Sequence, residues 1–350
     1  MEEEKIIRLK RPELHSAEYK KFIEPLFAGK EIEKRIRYSQ WAFADNPFLT
    51  EGEDLPIYLF QRDGKNLGHI AYIPIEVVLQ GKIIQGGWCV DFFSDPNAQR
   101  KGLGKKLMET AYRDFPVMLS LGQTDMAYYF LLKFGWQYSG NATEYQIFSW
   151  KALKKYILKK LGVKAGPTMN LTLSKTFQCA QNVVFEAITS VSQMDFSGCQ
   201  HENSHFSYIP RTSRFFEWRF FQHPFISYNV HHIYSKDEFD VYIVWRIMNN
   251  ELGPRAMVVD VIYKSQTSLS GLKKALKIMI EYTLSQGIEI LECQTTDTSV
   301  LEALPKTIFS KRQQGKRFLY KAQEGIGSTS LSVRDWKLFS SDCDLESLTY

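Results

Sequence analysis

The sequence predicts an α/β fold of mixed sheet and helices, built as two similar lobes. Three observations carry that expectation. Strand-like runs alternate with helical ones along most of the 350 residues, a length that accommodates two domains. The segment "RYSQWAFADNPF" (Arg37–Phe48) recurs in register as "RFFEWRFFQHPF" (Arg214–Phe225), sharing Arg, Trp, Phe, Pro and Phe. Each copy is followed by strand runs, by a Val-Asp pair inside a strand (Val90-Asp91, Val259-Asp260), and by a helix opening with two lysines (Lys105-Lys106, Lys273-Lys274).

In the first lobe, "PIYLFQRDG" and "LGHIAYIPIEVVLQG" are apolar strand-like runs and read as a hairpin turned near Asp63-Gly64. "KIIQGGWCVDFF" is the next strand. Leu103, Leu107, Met108, Ala111, Tyr112 and Phe115 then recur at helical spacing. "VMLSLG" reads as a further strand, and "DMAYYFLLKFG" as a helix ended by Gly135. The second lobe repeats the order, with a helix face of Leu272, Ala275, Leu276, Met279 and Ile280 before the strand "IEILECQT". The lysine-rich "KALKKYILKKLGVKAGP" joins the two, and its Ala-Gly-Pro marks a boundary near 165. The expected lobes are 1–165 and 166–325, followed by a polar tail, 326–350.

Composition narrows the classes. At 44% hydrophobic and 24% charged the chain is an ordinary globular protein, and 14% aromatic residues argue against disorder. A net charge of +5 is too weak for a nucleic-acid partner yet compatible with an anionic ligand. The five cysteines are scattered, without a CxxC pair, so neither a zinc ribbon nor a disulfide framework is expected. No signal-like or membrane-spanning apolar run is read in the sequence, and a cytoplasmic protein without a membrane partner is expected.

One stretch carries chemistry. In "DPNAQRKGLGKKL" (Asp95–Leu107), Pro96 ends a strand, Gly102 and Gly104 open a helix, and Arg100, Lys101, Lys105 and Lys106 add positive charge. A helix's first turn offers several N–H groups and a favourable dipole to one anion, and glycine lets phosphate oxygens approach. The same features describe a plain strand-to-helix turn with solvated lysines. The spacing matches neither GxGxxG nor the Walker motif.

Gln99-x-x-Gly102-x-Gly104 after an apolar strand, followed by "LGQTDMAYYFLLKFGWQ" ending in Lys133-Phe134-Gly135-Trp136, resembles the acetyl-CoA-binding and succeeding motifs of the GNAT (Gcn5-related) acetyltransferases. The resemblance covers roughly residues 30–140, with a weaker echo in the second lobe. It implies a tandem GNAT-like acyl-CoA N-acyltransferase fold. It also implies acetyl-CoA as cosubstrate, its diphosphate on the amides of Gln99, Arg100, Lys101, Gly102, Leu103, Gly104 and Lys105. The pantetheine would pair like a strand with Phe92, Phe93 and Ser94, and an amine would attack the thioester directly. No metal is implied.

The family's base is often a carboxylate on the central strands, which makes Glu76 and Asp91 candidates. Asp91 also reads as a structural carboxylate paired with a buried Arg or Trp N–H, because it recurs as Asp260 without the glycine loop. Glu76 also reads as solvent-facing, and His69 as a satisfied strand residue. The family's usual acid, a Tyr, falls at Leu131, and its usual Asn at Thr124; Tyr128 and Tyr129 are the candidate substitutes. In the second lobe, Thr267, Ser270 and Leu272 stand for Gln99, Gly102 and Gly104. Leu272 is expected to intrude on a phosphate, so that lobe is expected to shape an acceptor cleft, with Trp41, Phe43, Trp218, Phe220 and Phe221 lining it or packing within each lobe.

"HENSH" (His201–His205) fits H-E-x-x-H, but its glycine, asparagine and serine surroundings favour a polar loop over a zinc-binding helix. The leading expectation is acetyl transfer to a small-molecule amine. Similarity to GNAT members associated with bacterial surface polysaccharides suggests an amino sugar. Acyl-CoA binding without transfer, or a Fem-type aminoacyl transferase, are the alternatives, the last disfavoured by the glycine loop and the lack of a strongly basic face. The sequence does not indicate an oligomeric state.

Overall fold

Asp63 and Gly64 adopt left-handed backbone, φ 48° and 75°, closing a two-residue hairpin with Arg62 opposite Lys65. That turn, placed from sequence, joins two adjacent strands in the computed structural model. The structure describes residues 3–27, 31–95, 102–160, 177, 179, 182–199, 206–236, 238–250, 253–326 and 331–343. The candidate boundary near 165, Gln99, Arg100, Lys101 and the H-E-x-x-H match fall outside them.

The chain divides into two compact units. The first comprises Met1–Ser139 with His223–Phe225 and Phe318–Ser330. In chain order it holds β1 (Glu4–Arg8), α1 (Ala17–Ile23), α2 (Ile32–Ser39), β2 (Ile57–Arg62), β3 (Lys65–Leu79), β4 (Lys82–Ser94), α3 (Leu103–Asp114), β5 (Val117–Leu121) and α4 (Asp125–Lys133). β1 to β4 pair antiparallel in sequence order, and β4 pairs parallel with β5. Phe318–Ala322, from far along the chain, pairs antiparallel with β5. The residues read as a helical stripe face inward: Leu107 and Ala111 are fully buried, with Leu103, Met108 and Phe115 nearly so, against Tyr58, Ile70 and Tyr72 of the sheet. Burying a Leu or Met side chain is worth about 1.5–3 kcal/mol, so this face holds α3 on the sheet.

The second unit comprises Gly140–Gln222, Ile226–Arg317 and Leu331–Tyr350. Its elements follow β6 (Gln137–Phe148), which begins in the first unit. They are α5 (Trp150–Lys160), β7 (Val184–Ile188), β8 (Ser207–Tyr208), α6 (Ser213–Phe216), β9 (Asn229–Ser235), β10 (Phe239–Asn250), β11 (Gly253–Tyr263), α7 (Leu269–Ser285), β12 (Ile290–Thr295), α8 (Thr298–Ala303), β13 (Ser310–Ala322) and β14 (Trp336–Lys337). Here β7, β9, β10 and β11 pair antiparallel, β11 pairs parallel with β12, and β12 pairs antiparallel with Thr143–Phe148 of β6. The order β9-β10-β11-α7-β12-α8 repeats β2-β3-β4-α3-β5-α4.

Trp41, Phe43, Trp218 and Phe220 are buried, as the packing reading of them expects. Trp41 and Phe43 sit in a π-helical turn, Gln40–Ala44, and Trp218 and Phe220 in its counterpart Glu217–Phe221. One expectation needs correction: in the segment read as a polar tail, the described residues 336–343 are core. Trp336 and Leu338 are essentially inaccessible and Phe339 and Cys343 nearly so, because "DWKLF" alternates apolar and polar residues as a strand does.

Candidate functional site

β4 changes character halfway along. Its parallel ladder with β5 runs from Gly86 opposite Val117 to Trp88 opposite Leu119, and no further among the described residues. β4 itself continues to Ser94 and β5 to Leu121. The two strands therefore part, leaving backbone of Cys89–Ser94 without a β5 ladder. On the other edge Ala71 faces Val90 and His69 faces Phe93, so Asp91 and Phe92 together oppose the single residue Ile70. This is a β-bulge, and Asp91 within it is left-handed at φ 53°. A bulge bends and twists its strand, which accounts for the parting.

The bulge is held from one side by a buried polar cluster. Arg35 of α2 forms an ion pair with the Asp91 carboxylate, both side chains about nine-tenths buried. His69 Nδ1 lies 2.8 Å from the Asp91 carbonyl oxygen, and its Nε2 lies 3.2 Å from the Tyr19 hydroxyl. A carbonyl can only accept, so Nδ1 carries the proton and Nε2 accepts from Tyr19. Burial, with the Arg35 charge adding to it, pushes the His69 pKa down to about 3, so the ring is neutral. Burial likewise raises the Tyr19 hydroxyl far above the usual range.

The first turn of α3 lies against the ring of Phe92, beside the bulge. Its N-cap, Gly102, has φ 77° and offers no side chain to its own helix. Among the described residues, the capping contact at this turn is Lys106 N–H to the Gly102 carbonyl at 3.1 Å. The first-turn amides of a helix are the donors an anion would use. Lys105 is exposed beside Glu109, at 3.7 Å.

The reason for Gly104 differs from the sequence reading. A Cβ there would lie 2.9 Å from the rings of both Phe92 and Phe130, which stack at 5.0 Å between centroids. Aromatic packing forbids a side chain at this position. Leu103 points into the core, so only its amide can face a ligand. Phe93 packs edge-on against Phe22, and Ser94 ends β4 half-buried.

The two candidate carboxylates, Asp91 and Glu76, are not brought together. Asp91 is at the bulge but committed to Arg35, as its structural reading expected. Glu76 faces Gln85, six residues along β3 from Ile70, which is roughly 20 Å away at strand spacing. Tyr128 is half-buried against Tyr138, with ring centroids 5.8 Å apart, and Tyr129 is 62% exposed. Leu131 is buried in the core, and Thr124 caps α4 by accepting from Ala127 N–H.

The second unit supplies a comparison. β11 and β12 also part, after Val258 opposite Cys293, and Arg211 pairs with Asp260 at 2.7 Å. This gap is filled by the chain itself. Phe339 bridges Thr295, Thr296 N–H donates to the Leu338 carbonyl at 3.0 Å, and Leu338 N–H to Thr296 Oγ1 at 2.9 Å. Ser341 donates to Asp260 at 2.8 Å, and Asp342 takes a second position on Arg211 at 2.6 Å. Burial pushes Asp260 up to about 6 against the opposing Arg211 charge. The first turn of α7 is capped by Ser268, which accepts from Gly271 N–H at 3.1 Å. Leu272, expected to block a phosphate, is instead in the core. The obstructions are the serine cap and the C-terminal segment.

Sequence reasoning missed Arg35, Tyr19 and the filling of the second gap. The apolar alternation of Trp336–Phe339 was the one available signal for the last.

Residues 17–139 match a family described as an acetyltransferase (GNAT) domain. No curated protein matches the chain. Among solved structures, a GCN5-related N-acetyltransferase from Anabaena variabilis aligns at TM-score 0.59 and 13% identity, covering 91% of this chain and 73% of its own. A probable N-acyltransferase from Enterococcus faecalis aligns at 0.59 and 12%, covering 92% and 73%. The N-myristoyltransferase of Saccharomyces cerevisiae, solved with myristoyl-CoA, aligns at 0.52 and 13%, covering 91% and 83%. At such identities the likeness is one of fold.

Proposed function

We propose that this protein is an acyl-CoA-dependent N-acyltransferase whose acyl donor binds in the first unit. The observation that carries the reading is the parting of β4 from β5 at the Asp91 bulge, with the first turn of α3, opened by left-handed Gly102, packed against Phe92. The pantetheine would add as a short strand along Phe92–Ser94, using amide pairing as its grip. The diphosphate would rest on the amides from Gln99 to Lys105, where the dipole of α3 favours an anion. The match of residues 17–139 to a GNAT domain supports the same assignment.

The reaction is attack of a neutral amine nitrogen on the thioester carbonyl. The C–N bond forms, the C–S bond breaks, the amine loses one proton and the departing thiolate gains one. A backbone N–H at the bulge would stabilise the oxyanion. Asp91 is tied to Arg35, His69 has both nitrogens engaged and Glu76 is distant. The amine proton therefore passes to solvent, and Tyr128 is assigned as the acid for the thiolate. The donor is proposed to be acetyl-CoA and the acceptor a small-molecule amine, an amino sugar first. The second unit, its gap filled by its own chain, is proposed not to bind CoA.

A second reading, acyl-CoA binding without transfer, is favoured by one observation. Leu131, at the family's Tyr position, is buried apolar core. Thiol release from acetyl-CoA across a panel of amines, run beside calorimetric titration of acetyl-CoA, decides between them. Release with any amine supports transfer; binding without release supports the second reading; no binding overturns both.

A further inference from the structure

We propose that His69 is a positioning residue for acyl transfer, acting through the backbone of the Asp91 bulge; this rests on the acyl-donor reading of the β4 gap. The starting point is a backbone outlier. Asp91 has a Cβ and yet holds φ 53°, a left-handed conformation that persists where its surroundings hold it. Two contacts enforce it here. Arg35 fixes the side chain, and His69 fixes the main chain through Nδ1–H to the Asp91 carbonyl at 2.8 Å. The imidazole is itself fixed, its Nε2 accepting from buried Tyr19 at 3.2 Å, with Phe22 packed beside the ring at 6.4 Å between centroids.

The consequence follows from the peptide bond. In a trans peptide the C=O and N–H lie in one plane and point in opposite directions. Pinning the Asp91 carbonyl toward His69 therefore also sets the direction of Phe92 N–H, away from His69. That amide lies in the stretch where β4 has left β5, which is where a polarising donor for the thioester carbonyl belongs. Preorganised donors of this kind contribute to rate because they need no reorientation during reaction. Asp260 in the second unit gives the contrast. It has an Arg partner but no left-handed backbone, and the bulge there inserts Val259 between Val258 and Asp260. The Arg–Asp pair thus recurs in both units, while the strained peptide with its histidine grip belongs to the first.

The test uses the full chain with His69→Asn and His69→Leu. The asparagine amide can place an N–H where Nδ1 stands, whereas leucine fills the space without a donor. His69→Leu is expected to lower kcat by about tenfold or more while the acetyl-CoA dissociation constant stays within about threefold, with His69→Asn recovering most of the rate. Equal rates in all three proteins, or equal losses in both variants at matched thermal midpoints, would overturn the proposal. Amide exchange at Phe92 needs no substrate: faster exchange in His69→Leu than in His69→Asn supports the grip, and identical exchange refutes it. Absence of acetyl-CoA binding by the unaltered protein would instead refute the acyl-donor reading, so the two failures are separable.

Discussion

Asp91→Ala should be among the most damaging single substitutions in the first unit. The Asp91 and Arg35 side chains are 8% and 10% exposed, so solvent screens the pair little. Removing one partner leaves a buried guanidinium without its counter-charge, a loss of about 3–5 kcal/mol. Total stability is about 5–15 kcal/mol, so the effect is a large share of it. Asp91→Gly loses the same ion pair but relieves a Cβ at φ 53°, and should be more stable than Asp91→Ala by about 1 kcal/mol. Converting both partners, Arg35→Met with Asp91→Asn, removes the stranded charge and keeps a residue that tolerates left-handed backbone. That pair should lie within about 2 kcal/mol of the unaltered protein. Urea unfolding followed by far-ultraviolet dichroism gives the midpoints, and a constant m-value licenses the comparison. The reasoning is refuted if Asp91→Ala costs under about 0.5 kcal/mol, or if the double variant is less stable than either single one.

Four further outcomes are expected. Gly104→Val would drive methyl groups into Phe92 and Phe130, lowering stability by about 1–3 kcal/mol in urea unfolding; an unchanged midpoint would remove the packing reading. Stability should depend on pH in opposite senses in the two units. His69, its pKa lowered to about 3, contributes stability that is complete above its unfolded value near 6.5 and is lost as pH falls toward 3. Asp260, raised to about 6, contributes stability that is complete below its unfolded value and is lost as pH rises through 6. His69→Asn and Asp260→Asn should each flatten the corresponding limb of a melting-temperature profile. Trp336→Ala should cost about 3–5 kcal/mol, read by thermal or urea unfolding, since that ring is fully buried; a loss below about 1 kcal/mol would restore the polar-tail reading. In steady-state assays the rate should track the neutral fraction of the acceptor amine, and Tyr128→Phe should lower kcat about 10²-fold or more if its hydroxyl is the acid.

Much of the scaffold was legible because its signals are local. The Asp63-Gly64 turn and the stripe of α3 depend on residues a few positions apart. Asp91 could be singled out as a carboxylate in an apolar strand, and a buried Arg named as one of its structural partners, since a lone buried charge is too costly to leave. Which arginine it is could not be read, because Arg35 and Asp91 meet only once α2 lies on the sheet. Glu76 shows the same limit from the other side. It shares β3 with His69, and only the register with β4 shows how far it stands from the bulge.

The sequence by itself determined the order of strands and helices, the tight turns and the glycine-opened helix, since backbone periodicity and φ preferences are set by near neighbours. Tertiary structure decided where β4 leaves β5, that His69 grips the Asp91 peptide, that Gly104 yields to two aromatic rings, and that residues 336–343 fill the second gap. Those outcomes turn on strand register and on packing between residues far apart in the chain. Burial can force polar groups to find partners there, but the linear pattern does not name them.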